Sequence, residues 1–275
     1  MKNKSISGMT WALLIVYVYM CTSMLVYSAP PGGEDFLKVV NALTPVLAGL
    51  FATVCAGLVW RRVPDEERNI WFWLCVGIGE WTVVEAILAY NALTSDTLRF
   101  TVASTGGLGL IRLLGYLPIG IGMSHKMTRS LTQITWRRLV WAVIGGLVLP
   151  SILLLAFTLP VLFNNERGPG FSLIAIVLAL YPALDISFST GGFLSVPKKR
   201  DGWWHPWFLI GGAWVLWLYA DAWYWVLRQL AAYRLGLPGA IRVDIPYTLA
   251  YIVLGLCCIQ TFPLMSDSER RDTKA

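Results

Sequence analysis

The chain has 275 residues, of which 56% are hydrophobic and 14% are charged, and its formal net charge is +6. Apolar runs of about 20 residues recur along it, and each is long enough to cross about 30 Å of hydrocarbon as a helix. The connections between the runs are too short for a soluble domain, which excludes a soluble multidomain protein. The composition predicts an all-α polytopic membrane protein surrounded by a lipid bilayer.

Eight spans are predicted, in chain order, at 9–28, 36–60, 69–91, 101–123, 139–163, 171–195, 205–229 and 244–265. They form one membrane domain at 9–265, with short tails at 1–8 and 266–275. The first span could instead belong to a signal peptide, since the small residues Ser28 and Ala29 follow it. Its apolar stretch is long for a signal peptide, so we expect a retained first helix.

Most lysine and arginine residues fall in the two tails and in every second loop. Fifteen of the 22 lie there, on a single side of the membrane. Cytoplasmic loops of membrane proteins carry such an excess of positive charge. We therefore expect a protein of the bacterial inner (plasma) membrane with both termini in the cytoplasm. This orientation explains the positive net charge, which gives no indication of nucleic-acid binding.

The positions of cysteine and histidine do not indicate a metal site or a disulfide. All five cysteines lie within apolar spans, where a thiol behaves as a small hydrophobic group. The two histidines, His125 and His205, lie at the predicted cytoplasmic boundary and cannot hold a haem within the bilayer. Phosphate-binding glycine motifs, nucleophile elbows and zinc-ligand spacings are absent from the sequence. We therefore expect a protein that is not an enzyme, and the sequence identifies no cofactor.

Charged residues occur inside the predicted spans at five positions: Glu80, Glu85, Arg112, Asp185 and Asp221. Charges at this depth are costly, face a bundle interior or a cavity, and indicate a functional site. Arg112 lies near the middle of the fourth span and could neutralise Glu80 or Glu85. A Glu–Arg pair would then lock the third and fourth spans together. Because acids outnumber bases by three, we expect one or two of the carboxyl groups to be protonated at neutral pH.

The sixth span carries a polar stripe beside a proline. Tyr181, Asp185 and Ser189 follow one another at intervals of four residues, which places them on one helix face. Pro182 removes a backbone donor and predicts a kink next to this stripe. A kinked helix with a tyrosine and an acid one turn apart suits a binding niche, although Asp185 could equally bond to a neighbouring hydroxyl or backbone group.

The seventh span carries a second polar stripe and many tryptophans. Its members are Trp217, Asp221, Tyr224 and Arg228, which could line a path or pocket that opens to the outside. Tryptophans near the ends of the span are expected to anchor at the membrane interface. Trp214 and Trp217 lie deeper, and they either wall a pocket or pack as ordinary core residues.

The two halves of the chain resemble each other in spacing. The matching residues are Trp71, Glu85 and Tyr116 in the first half and Trp207, Asp221 and Tyr251 in the second. The tryptophan precedes the acid by fourteen residues in both halves, and the tyrosine follows the acid after 31 and 30 residues. This pattern predicts two four-helix halves of the same orientation, related by an axis along the membrane normal. Chance matching among tryptophan-rich apolar helices is the alternative.

Four short motifs occur in a recognisable order. They are Arg68-Asn69-Ile70-Trp71 with Gly79-Glu80, Leu114-Gly115-Tyr116-Leu117-Pro118, Tyr181-Pro182-Ala183-Leu184-Asp185 and Ala220-Asp221-Ala222-Trp223-Tyr224. Over about residues 36–260 the chain resembles the multi-pass membrane sensory region of bacterial diguanylate cyclases and sensor histidine kinases. It departs from that pattern at Gly109, where the family tends to carry an Asp, and in having no kinase or cyclase domain after the spans. The resemblance implies a sensor-like module that signals through a separate partner.

We therefore expect a non-enzymatic sensor that binds a small apolar or amphipathic ligand, or senses the state of the membrane. Its signal would pass to a separate membrane or cytoplasmic partner. The residues expected to bind the ligand or to respond to protons are Glu80, Glu85, Arg112, Tyr181, Asp185, Asp221 and Tyr224. One alternative is an accessory subunit of a larger membrane complex. The other is a proton- or cation-coupled transporter that uses the same acids as a relay.

Overall fold

A computed structural model describes residues 8–94, 102–131, 135–162, 169–196, 205–229 and 241–272. These residues are helical apart from short turns, and the described part of the chain contains no strand. Its eight helices, α1 to α8, are Gly8–Ser28, Gly33–Arg62, Asp65–Thr94, Val102–Leu131, 136–162, Pro169–Leu194, Pro206–Gln229 and Ile241–Asp272. The predicted all-α fold class is confirmed.

Helix α5 is a single rod made of three segments. The α-helix Trp136–Val143 continues into a π-helical stretch, Ile144–Val148, and then into the α-helix Leu149–Leu162. Gly145 of the π-helical stretch lies so close to Thr190 of α6 that a β-carbon at this position would collide with it. The glycine therefore allows α5 and α6 to approach each other.

The helices extend beyond the predicted spans most clearly in α4 and α8. Helix α4 continues to Leu131 and α8 to Asp272, past the predicted ends at 123 and 265. These extensions contain many polar residues, so hydropathy excludes them from a span although the backbone stays helical. Residues 1–7 and 273–275, which belong to the two predicted tails, lie outside the described residues.

Five of the described helices are long and apolar enough to cross a membrane. The segments are Gly33–Arg62 (α2), Asp65–Thr94 (α3), Trp136–Leu159 (α5), Ile176–Leu194 (α6) and Ile241–Thr261 (α8). Helix α1 contributes a shorter apolar segment at Leu13–Ser28. Helix α7 is rich in tryptophan and tyrosine, whose polar groups lower its mean hydropathy. The chain is a multi-pass membrane protein.

Six of the described helices form a closed ring, and two lie outside it. The order around the ring is α2, α3, α4, α6, α7 and α8, and α8 packs against α2 to close it. Helix α1 packs on α8, and α5 packs on α6. Only 6% of the apolar window of α5 is buried, so most of its apolar surface faces the surroundings of the bundle, as expected for a helix in lipid.

The order of the ring supports the predicted half-repeat. Helix α3 packs between α2 and α4 in the first half, just as α7 packs between α6 and α8 in the second. The two halves meet at two equivalent contacts, α4 with α6 and α8 with α2. The rings of the matched residues Trp71 and Trp207 lie 6.0 Å apart. The outer helices depart from the pattern, because α1 packs on α8 whereas its counterpart α5 packs on α6 rather than on α4.

Aromatic rings of α3 and α7 fill the middle of the ring of helices. The ring centroid of Trp81 in α3 lies 5.1 Å from that of Trp217 and 5.6 Å from that of Trp214, both in α7. All three side chains are at most 2% exposed. Because α3 and α7 are not neighbours in the ring, these indoles bridge the space between them and form the core in which the polar residues lie.

Candidate functional site

Polar side chains from five helices meet inside the ring, and we call them the central cluster. Its members are Glu85 of α3, Arg112 and Tyr116 of α4, Tyr181 and Asp185 of α6, Asp221 of α7, and Tyr247 and Tyr251 of α8. Asp185 is fully buried, and Glu85 and Asp221 are each 7% exposed. Four of the five charges predicted to lie within the spans therefore converge on one place.

Glu85 has two partners in the central cluster. The Tyr247 hydroxyl donates a hydrogen bond to Glu85 Oε1 over 2.6 Å, and Arg112 Nη1 lies 3.8 Å from the same oxygen. The ion pair joins α3 to α4, as expected for a Glu–Arg lock between these helices. Its acid is Glu85, whereas Glu80 has no ion pair among the described residues.

The Arg112 guanidinium lies among aromatic faces. Its Cζ is 4.5 Å from the ring centroid of Tyr247, 5.4 Å from that of Tyr181 and 5.5 Å from that of Trp81. These distances allow cation–π attraction, which is stronger away from water. Trp81 Nε1 also donates to the backbone carbonyl of Arg112 over 2.8 Å. Within the described residues Arg112 Nε has no acceptor, so one donor of the cation remains unused.

Asp185 and Asp221 face each other across the contact between α6 and α7. The Tyr116 hydroxyl donates to Asp185 Oδ1 over 2.7 Å. The two carboxyl groups lie within hydrogen-bonding contact of each other, yet the Oδ2 atom of each finds no donor in the part of the chain that the structure describes. An ionised carboxylate only accepts hydrogen bonds. Two ionised carboxylates therefore cannot form a hydrogen bond with each other.

Glu80 lies beside the central cluster rather than in it. It is half-buried, and its carboxylate packs against Gly115 and near the Trp81 indole, where a β-carbon on the glycine would collide with both. Neither oxygen of Glu80 is hydrogen-bonded to a described residue. Five residues along a helix correspond to a rotation of about 140°, which explains why Glu80 and Glu85 have different surroundings.

Tyr181 and Tyr224 connect the central cluster to the helices around it. The Tyr181 hydroxyl donates to the Gly109 carbonyl over 2.5 Å, which ties α6 to α4. Tyr224 is half-buried, packs against the apolar core and lies near Tyr181. The side chain of Arg228, the last member of the predicted stripe, lies outside the described residues. Of the seven predicted site residues, five belong to the central cluster, while Glu80 and Tyr224 flank it.

Tyr247 and Trp81 were missed by sequence reasoning. Both contact Arg112, and Tyr247 is also a partner of Glu85. The half-repeat contains the signal for Tyr247, because it precedes Tyr251 by four residues just as Arg112 precedes Tyr116. The spacing thus identifies Tyr247 as the counterpart of Arg112 in the second half.

A second buried polar group, which we call the Tyr27 cluster, lies where α1, α2 and α8 meet. The Tyr27 hydroxyl is 2.7 Å from Asn41 Oδ1 and 2.8 Å from Asp244 Oδ2. The Tyr27 hydroxyl is the donor in both contacts, and its single proton is shared between these two acceptor oxygens. The cluster ties α1 to the ring.

The opposite end of the ring, which we call the His205 end, carries charged residues around the start of α7. Lys126 Nζ lies 2.9 Å from Glu67 Oε1 and 5.3 Å from the ring centroid of Trp207. His205 stands just before α7. Burial lowers the pKa of His205 to about 4, with the nearby Lys126 ammonium acting in the same direction and Glu67 opposing both.

The described residues offer no site for a metal ion made of three or more His, Cys, Asp or Glu side chains. All five cysteines are free thiols, and Cys55, Cys257 and Cys258 are buried. Comparison of the chain with protein-family models, with curated proteins and with solved structures gave no match. The candidate site therefore rests on the geometry and the chemistry of the central cluster.

Proposed function

We propose that the protein is a non-enzymatic sensor-like module of the bacterial inner membrane, with the central cluster as its input site. Both termini are cytoplasmic, so the His205 end faces the cytoplasm and the Tyr27 cluster faces outward. The input is a small amphipathic ligand or a membrane state, and the output passes to a separate partner. The observation that carries the proposal is the convergence of Glu85, Arg112, Asp185 and Asp221 inside an aromatic core.

Unused hydrogen-bonding groups support a binding role for this centre. A buried polar group without a partner costs about 1–3 kcal/mol, so a network that serves only packing is expected to satisfy its members. Among the described residues, the Oδ2 atoms of Asp185 and Asp221 and the Nε1 atoms of Trp214 and Trp217 have no partner. A ligand hydroxyl, amine or carbonyl can bond to these groups while its apolar part contacts the indole faces.

Helices α3 and α7 connect the central cluster to the His205 end. Both begin at that end, and they carry the central acids Glu85 and Asp221. At the His205 end their residues Trp71 and Trp207 are in ring contact, and Lys126 lies over Trp207. A shift of α7 relative to α3 at the cluster therefore moves Trp207 and its cationic neighbour. We infer that a cytoplasmic partner reads this movement.

Crosslinking in native membranes, combined with matched variants, tests the proposal. We expect a signalling enzyme, such as a kinase or a cyclase, to crosslink at the His205 end. Asp221→Asn should change the activity of that enzyme, whereas Asp35→Asn should not, because Asp35 is exposed near the start of α2. If the neighbours are subunits of an energy-transducing complex and no signalling enzyme is among them, the sensor proposal is wrong and the accessory-subunit alternative is favoured.

Proton- or cation-coupled transport is a second candidate, favoured by the facing acids Asp185 and Asp221. Acids within a membrane domain are typical of proton relays. Flux in proteoliposomes that is lost in Asp185→Asn and in Asp221→Asn, but retained in Asp35→Asn, would establish transport. The absence of flux under every proton or cation gradient would remove this candidate.

A further inference from the structure

Asp185 of α6 and Asp221 of α7 are two buried acids in contact, and the described residues place no base within ion-pair distance of either. We propose that they bind one proton between them, and that this shared proton holds the central cluster in one of two states. The shared proton follows from the arrangement of the groups. Its role in switching rests on the proposed function.

The hydrogen bonds around Asp185 and Asp221 lack one donor, between the two carboxyl groups. Tyr116 supplies the hydrogen for Asp185 Oδ1. The Oδ2 atoms of Asp185 and Asp221 have no donor among the described residues, although the two carboxyl groups are next to each other. If one group is a carboxylic acid, its O–H donates to the carboxylate of the other and the contact is satisfied. Two carboxylates would leave two buried acceptors facing each other.

The charges that surround the pair favour the same state. The titratable and charged groups that face it are Glu85 of α3, Arg112 and Tyr116 of α4, Tyr181 of α6, and Tyr247 and Tyr251 of α8. Tyr224 of α7 lies near Tyr181. The basic side chains described in α5 lie at the His205 end, where Arg138 donates to the Val196 carbonyl. Arg112 is the one base among the groups that face the pair in the described structure, and its ion pair is with Glu85. Two like charges at one buried site retain a proton, as paired carboxyl groups in enzymes do.

The packing of α6 and α7 indicates what loss of the proton would move. Near the His205 end the helices are in backbone contact: a β-carbon on Gly192 would lie 2.6 Å from the Gly211 nitrogen. Ser189 also donates to the Gly211 carbonyl over 3.1 Å. Asp185 and Asp221 lie on the far side of this contact. Repulsion between two carboxylates would therefore spread α6 and α7 at the acids and tilt α7 about the glycine contact. This tilt would also displace Trp207, which lies one turn from Gly211 on the other side of the contact.

Infrared spectroscopy of the protein in lipid nanodiscs tests the shared proton directly, because the carbonyl stretch of a protonated carboxyl group is separate from that of a carboxylate. The wild-type protein should show this band at neutral pH, and it should shift in heavy water. Asp185→Asn and Asp221→Asn should each remove it, because the new amide donates to the carboxylate that remains. Asp35→Asn should leave it unchanged. A wild-type protein without the band overturns the proposal, and so does a band that disappears only in Glu80→Gln or Glu85→Gln.

The wild-type measurement in heavy water requires no variant to fold, so the absence of the band overturns the proposal even if a variant misfolds. The pH dependence of the crosslinked partner's activity tests the switching role. A partner whose activity changes at the pH where the infrared band disappears supports the switch. If the band is present and the activity is independent of pH, the switching role is wrong and the shared proton stands. If a signalling partner is found but the band is absent, the sensor stands and the shared proton is wrong.

Discussion

Replacing Arg112 by glutamine tests whether its charge holds α3 and α4 together. The side chains of Arg112 and Glu85 are 14% and 9% exposed, and Arg112 Nη1 lies 3.8 Å from Glu85 Oε1. Glutamine keeps much of the volume but removes the charge. The Glu85 carboxylate is then buried with the Tyr247 hydroxyl as its remaining described partner. We expect Arg112→Gln to destabilise the fold strongly.

The size of the effect follows from the geometry of the pair. Two unit charges at this separation attract by about 4 kcal/mol at an effective dielectric constant of about 20. Breaking a buried ion pair by removal of one partner typically costs about 3–5 kcal/mol, because the other charge stays buried. The three aromatic rings around the guanidinium add cation–π attraction, each by about 0.5–2 kcal/mol. We therefore expect a loss of about 4 kcal/mol or more, which corresponds to at least a thousandfold change in the folding equilibrium.

Equilibrium unfolding in mixed lipid–detergent micelles, followed by tryptophan fluorescence, measures this loss. The double variant Arg112→Gln with Glu85→Gln should recover most of it, because no unpaired charge remains. Arg242→Gln is the matched control, since Arg242 is exposed and its Cζ lies 4.7 Å from the Trp223 ring centroid. An Arg112→Gln variant within about 0.5 kcal/mol of wild type, or a double variant whose losses simply add, would refute the reasoning.

Three further predictions concern separate parts of the fold. Gly115→Ala should destabilise by about 1–3 kcal/mol because its β-carbon meets packed atoms, whereas Gly146→Ala, with open space around it, should not. Tyr27→Phe should cost about 1–2 kcal/mol and loosen α1, which limited proteolysis can detect. Stability should fall as the pH drops from about 6.5 towards about 4, because the unfolded chain protonates His205 before the folded one does; His205→Gln should abolish this dependence.

Each of these predictions has an outcome that contradicts it. Equal stability of Gly115→Ala and Gly146→Ala would show that the α3–α4 contact yields to a methyl group. Unchanged proteolysis of α1 in Tyr27→Phe would mean that apolar packing alone holds this helix. An acid-dependent loss of stability that persists in His205→Gln would assign the effect to another group. All three use the same unfolding assay as the arginine variants, with proteolysis added for α1.

The eight helices were predictable because a bilayer leaves the backbone no partners outside a helix. Apolar length therefore located each one, and errors arose where helices continue past the hydrocarbon. Hydropathy does not predict the extensions to Leu131 and Asp272, because the residues after 123 and 265 are mostly polar. The order of helices around the ring is a property of tertiary packing. The half-repeat matched Trp71 with Trp207 but did not predict this order or the contact between the two rings.

The convergence of buried charges was predictable, whereas their pairing was not. The positions of Glu85, Arg112, Asp185 and Asp221 within apolar spans identified them as buried charges. Position along a span does not predict towards which neighbouring helix a side chain points. Glu80 and Arg112 both lie near the middle of their predicted spans, yet the ion pair of Arg112 is with Glu85. Contacts between distant helices, such as Tyr116 with Asp185, depend on which helices become neighbours.

The two halves share their aromatic scaffold and differ in their charges. The acids Glu85 and Asp221 occupy matched positions, as do the tyrosines that follow them. Arg112 of the first half corresponds to Tyr247 of the second. The first half has Ala48 three residues after Pro45, where the second half has Asp185 three residues after Pro182. Within the central cluster, each half therefore contains one charged group that the other lacks.

These differences between the halves give the two sides of the ring different charges. In the first half the matched acid, Glu85, is paired with Arg112, so the acid and the base of the central cluster on α3 and α4 balance each other. In the second half the matched acid, Asp221, faces another acid, Asp185, so the side formed by α6 and α7 depends on a proton for its stability. The ion pair thus holds α3 and α4 together, whereas the packing of α6 against α7 depends on the protonation of its two acids. A proton, or a ligand that replaces it, would act on α6 and α7 while α3 and α4 remain in place as the reference.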